Sequence, residues 1–210
     1  SAASEGDHGG ECDDDSTLPA LESLATSISA FINEAGLSET PLFCKLSTRT
    51  PKDSLAFRRR QASSKWHSCS PMVCQNGHDV VELLATSLRV FEDVQAYKAE
   101  DLQLVLRPWV SIPLWTEFRC FVSNGKVTTL CQYAASKTFE ELSCASTETL
   151  KQLGSRILMF LTNDVLPALP LELKSAVVVD VAALDTGCKV IELNPFALST
   201  GASMFSWTKD

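Results

Sequence analysis

Three oxygen-bearing side chains stand out in the stretch AVVVDVAALDTGCKVIELNPF, residues 176–196: Asp180, Glu192 and Asn194. Valine and isoleucine make both halves of this stretch extended, and Asp185, Thr186 and Gly187 supply turn chemistry. With the hairpin centred on Thr186, Leu184 faces Cys188, Ala182 faces Val190 and Asp180 faces Glu192. Asn194 lies two residues beyond Glu192 and shares its face. Like charges opposed across a sheet are destabilising. A hard cation among the three removes that cost, and magnesium commonly takes one or two carboxylates together with phosphate oxygens and water. The competing reading is a solvent-facing sheet with a Lys or Arg between the acids.

A magnesium site of this type calls for a polyphosphate, and a polyphosphate calls for cations. FCKLSTRTPKDS offers Lys45 at the end of an apolar strand, followed by Arg49 and Lys52 in a loop. VLRPWV sets Arg107, Pro108 and Trp109 among apolar residues, and EFRCFV puts Glu117 and Arg119 on one face of a strand. Neither a GxxxxGK[ST] loop nor a GxGxxG turn occurs, so a nucleotide would depend on strand-borne lysines and a carboxylate-held metal. No nucleophile is paired with a base, and no catalytic residue is assigned. Cys69, Cys74 and His78 lack a fourth ligand at zinc spacing and read as a plain loop.

Several elements must position these groups. Apolar residues recur at three- and four-residue intervals over 16–36, with Gly36 as a stop, and predict a first helix. PLFCKLS reads as a strand, residues 58–78 as irregular chain holding Arg58, Arg59 and Arg60, and residues 79–93 as a second helix. Three strands follow, LQLVLRPWV, EFRCFVSN and KVTTLCQYA, the last two joined by the hairpin signal Asn124-Gly125. A third helix over STETLKQLGSRILMFLTNDVL precedes the acidic hairpin. This order predicts a mixed α+β protein.

The chain has 210 residues and a formal net charge of -8. Residues 1–16 hold six acidic residues and no Lys or Arg, which leaves -2 for the rest. That opening stretch reads as a disordered acidic tail, followed by a lobe over 17–106 and another over 107–210. No strongly basic surface favours nucleic acid, no apolar run reaches membrane-spanning length, and no segment reads as a secretory signal. Cysteines scattered singly through apolar strands suit a reducing compartment.

KLSTRTPKDS, LVLRPWVSIPLWTEFRCFVSNGKV and VVVDVAALDTGCKVIELNPFALSTGASMFSW together resemble the cell division cycle protein 123 family, in its order and over most of residues 41–208. The resemblance implies an ATP-grasp-like fold of two α+β lobes with nucleotide between them. It makes Asp180, Glu192 and Asn194 magnesium ligands, Lys45 a phosphate contact, and Arg107-Pro108-Trp109 the interlobe segment whose backbone meets adenine. Arg119 becomes a phosphate contact oriented by Glu117. It further implies a cytoplasmic, monomeric, ATP- and magnesium-binding assembly chaperone that binds the gamma subunit of translation initiation factor 2 and promotes joining to the alpha subunit, without implying hydrolysis. Two features depart from the family pattern: Glu192 stands where Asp is usual, and AASKTF follows Tyr133 where an Arg-Asp-Tyr-rich segment is usual. A carboxylate-amine ligase and a module without nucleotide are the alternative readings.

Overall fold

A computed structural model describes residues 17–62 and 70–209; the acidic stretch 1–16, together with Cys69, lies outside the described residues. The chain divides after Val110 into two compact units.

In the first unit, helix α1 (Thr17–Glu34) is followed by Gly36, whose φ of 70° is a left-handed stop. Strand β1 (Leu42–Leu46) sends Leu42, Cys44 and Leu46 into the core and turns Phe43 and Lys45 to the opposite face. Helix α2 (Leu55–Ala62), strand β2 (Val73–Cys74), helices α3 (Gly77–Ala85) and α4 (Leu88–Ala96) and strand β3 (Leu104–Pro108) complete it. The sheet runs β2-β1-β3, antiparallel throughout. Ala25, Ile28 and Ile32 of α1 pack against Val80, Val81 and Leu83 of α3 above Leu42 and Cys44.

Two expectations are corrected here. Residues 55–62 are helical, and Arg60 is buried, donating to the Val73 carbonyl at 3.0 Å and pairing with Asp79 at 2.8 Å and Glu82 at 2.7 Å. The helix expected over 79–93 is two helices broken at Thr86 and Ser87. Ser87 caps α4 by accepting from the Val90 amide, and its hydroxyl donates to Asp53 at 2.6 Å. Asp53 also accepts from the Arg89 amide, so the apolar period continues across a break set from outside it.

The second unit is a four-stranded antiparallel sheet in the order β5-β4-β6-β7. Its strands are β4 (Glu117–Ser123), β5 (Lys126–Gln132), β6 (Ala176–Leu184) and β7 (Gly187–Pro195). Asn124 and Gly125 take φ of 50° and 70°, the two positive values a tight two-residue hairpin turn needs. After a short helix α5 (Glu140–Ser143), helix α6 (Thr147–Phe160) starts at the Ser146 cap and runs on through a π turn at Leu161–Val165. Ile157, Leu161 and Val165 cover one face of the sheet, against Phe118, Cys120 and Val122 of β4 and Val177, Val179, Val181 and Ala183 of β6. Among the described residues no helix is long and apolar enough to cross a membrane.

Candidate functional site

Strand alternation leaves Arg119 and Phe121 of β4 and Val178 and Asp180 of β6 on the sheet face opposite α6. Register then sets a row across four strands: Cys131 opposite Arg119, Arg119 opposite Asp180, Asp180 opposite Glu192. The expected pairing of Asp180 with Glu192 is present, but the rest of the hairpin register is corrected. The turn is two residues long, so Leu184 pairs with Gly187, Ala183 with Cys188 and Val181 with Val190. One extra residue, Ile191, bulges out of β7 between the Val190 and Glu192 pairings. Without that bulge Asp180 would meet Ile191, and Glu192 would fall on the face that α6 covers. The bulge is what brings the acids together.

Asp180 is 1% exposed and Arg119 7%. Arg119 Nε donates to Asp180 Oδ1 and Nη2 donates to Oδ2, both at 2.8 Å, a two-pronged pair. Nη1 donates to the Gly201 carbonyl, and the guanidinium lies 4.8 Å from the centre of the Tyr133 ring. Asn194 donates through Nδ2 to Asp180 Oδ2 at 2.9 Å. Burial works to lower the Arg119 pKa, but the hydrogen bonds and charge of Asp180 outweigh it and the net shift is upward. Burial pushes the neighbouring Cys120 thiol up to about 12, which leaves it an inert core group.

Segment 196–209 lies over this face. Phe121 meets Phe196, Phe205 and Trp207 edge-on, with centroids 5.7–6.2 Å apart. Trp207 Nε1 donates to the Thr200 carbonyl, and the Ser203 hydroxyl donates to the Gln132 and Tyr133 carbonyls. Sequence reasoning missed Tyr133, Gly201 and this cover. It also set Arg119 beside Glu117; the competing reading of an Arg beside the acids is met by Arg119 on Asp180, although that part of the face is buried and not solvent-facing.

The donor set fits a hard cation in type, two carboxylates and an amide on one face at adjacent register positions, but not in its present placement, because Arg119 holds both oxygens of Asp180 and Asn194 turns its NH2 towards them. Among the described residues no group of three His, Cys, Asp or Glu is placed to hold a metal, so an ion here would need Asn194 and oxygens of its own ligand as well. Asp180 now serves as the counter-ion of Arg119.

The first unit carries the other expected contacts. Lys45 stands opposite Val105 on the sheet face away from the core, and Arg107 stands opposite Phe43, its guanidinium 4.7 Å from the ring centre. Pro108 pairs with Leu42, and the Trp109 amide donates to the Pro41 carbonyl at 2.7 Å just before the unit ends. Arg49 is committed to α4: it pairs with Asp93, which also accepts from the Thr48 hydroxyl, and with Glu92 at 3.3 Å. Asp53 is a helix-capping group, and Lys52 is exposed. Glu117 opens β4, opposite Ala182. Cys74 sits 3.7 Å from Cys44 in the core.

The model of the family described as D123 matches residues 1–209. This chain belongs to the D123 family. A translation initiation factor eIF2 assembly protein of Candida albicans is 28% identical to this D123 chain over 208 residues, covering 93% of it and 55% of the relative. A cell division cycle protein 123 of Eremothecium gossypii is 32% identical over 181 residues, covering 79% and 45%. The chain thus spans about half the length of the curated relatives it matches. The solved structure of C-terminally truncated Cdc123 from Schizosaccharomyces pombe superposes with a TM-score of 0.65 at 23% identity, covering 91% of this chain and 72% of that one. The mixed helix-and-sheet architecture of this D123 chain is the ATP-grasp-like α+β fold that the resemblance implied.

Proposed function

We propose that this chain takes part in assembling translation initiation factor 2 in the cytoplasm, by contact with the gamma subunit, and that it binds ATP with magnesium. Membership of the D123 family carries the assembly reading, since relatives covering most of the chain are named as assembly proteins for that factor. The nucleotide reading rests on the ATP-grasp-like fold and on the oxygen face of β6 and β7. Asp180, Glu192 and Asn194 would hold magnesium, which would neutralise phosphate charge there. Arg119 would contact phosphates. Capture of the gamma subunit by the wild-type chain, weakened in an Asp180→Ala variant shown by circular dichroism to be folded, is the expected result. Strong nucleotide binding with no affinity for the subunit would sink the assembly role.

One observation favours a second reading, a protein-binding module without nucleotide: the two-pronged hold of Arg119 on Asp180 beneath segment 196–209. A thermal shift separates the two. A ligand at ~100 times its Kd adds about 2.7 kcal/mol of stability, so a melting temperature unchanged by millimolar magnesium-ATP selects the module.

A further inference from the structure

Both carboxylate oxygens of Asp180 lie 2.8 Å from guanidinium nitrogens of Arg119, inside an almost sealed pair. A divalent ion bound to the same oxygens would stand within a few ångströms of a full positive charge in a poorly solvated place. The charge of Arg119 opposes entry of such an ion for as long as it stays on Asp180. Arg119 in turn cannot simply be set loose. Its charge is buried, and its other contacts among the described residues, the Gly201 carbonyl and the Tyr133 ring, carry no formal negative charge. The guanidinium fork needs another anion with two oxygens to grip, and phosphate supplies that geometry.

We infer that Arg119 makes divalent-cation binding at Asp180 conditional on an anionic, phosphate-bearing ligand. The inference deepens the nucleotide reading proposed above and rests on it for the source of the phosphate. By linkage the dependence is reciprocal: whatever factor polyphosphate adds to cation affinity, the cation adds to polyphosphate affinity. Couplings of this kind are typically about 5–150-fold.

The test uses Mn²⁺ as the probe, followed by electron paramagnetic resonance on the full chain, with free Mn²⁺ held constant and inorganic tripolyphosphate present or absent. Wild type is expected to bind Mn²⁺ at least ~10-fold more tightly with tripolyphosphate, within the range above. Arg119→Gln, checked for folding by circular dichroism, is expected to bind one Mn²⁺ without tripolyphosphate, and Arg119→Gln with Asp180→Asn to lose it. A wild-type chain that binds one Mn²⁺ alone, in a manner abolished by Asp180→Asn, overturns the inference and leaves nucleotide binding standing. Equal Mn²⁺ affinity with and without tripolyphosphate also overturns it, and needs no folded Arg119 variant. Failure of ATP and tripolyphosphate to bind at all removes the nucleotide reading; the Mn²⁺-only measurements on wild type and Arg119→Gln then still decide whether Arg119 bars the cation.

Discussion

Arg119 and Asp180 stand directly opposite each other on neighbouring strands, 61 residues apart in sequence, and close a two-pronged ion pair under segment 196–209. Each is the lone charge between apolar neighbours of its strand, and each answers the burial of the other. A buried pair of this kind contributes little net stability compared with apolar residues of the same shape, yet removing one partner is costly.

Arg119→Met and Asp180→Ala should each lower unfolding stability by about 3–5 kcal/mol, because each strands an uncompensated buried charge. Combining Arg119→Met with Asp180→Ala should cost clearly less than the two single losses added together. Urea unfolding of the set as a double-mutant cycle measures the coupling; strict additivity would show that the pair is not energetically linked.

Segment 196–209 is held by the aromatic contacts of Phe121, Phe196, Phe205 and Trp207. Trp207→Ala should cost up to roughly 3–5 kcal/mol, the span for removing a large aromatic from a packed site. It should also release the segment first, so that limited proteolysis cuts near residues 198–205 faster than elsewhere. Uniform cleavage across the second unit would contradict that order.

The first unit should weaken in acid. The Arg49 hydrogen bonds hold the Asp93 carboxyl below the usual range, with help from Thr48. For Asp53, burial pushes up, but the Ser87 hydroxyl and the Arg89 amide outweigh it, and the net shift is also downward. A carboxyl whose folded pKa is depressed stabilises above its unfolded value, about 3.9, and loses that contribution as pH falls through the lower folded value. Melting temperature should therefore fall with pH below about 4–5, and less steeply in Asp93→Asn. That variant should start about 1.5–3 kcal/mol less stable at neutral pH, the worth of hydrogen bonds to a charged partner.

Gly77 opens α3 where it presses on α1. A Cβ built there would lie 2.0 Å from the Ala25 carbonyl oxygen and 2.7 Å from Ser29 Oγ. Gly77→Ala must force the helices apart and should cost at least the roughly 1–3 kcal/mol typical of overpacking. Calorimetry checks it, and an unchanged melting temperature would mean the two helices do not pack so closely.

What the sequence determined by itself was local. Two-residue alternation placed Arg119 and Phe121 opposite Phe118, Cys120 and Val122, and Asn124-Gly125 announced its turn because few other residues accept two positive φ angles. It also brought Asp180 and Glu192 together, though through a turn one residue too long and without the bulge at Ile191; two departures cancelled. Tertiary structure decided the rest. Whether β7 bulges depends on the strand it must follow, and whether 79–93 is one helix or two depends on Asp53 arriving from another segment. Which charge answers Asp180 depends on strand order, which no local period encodes. Periodicity reports only on residues a few positions apart, whereas burial forces a charge to find its partner wherever the fold puts one.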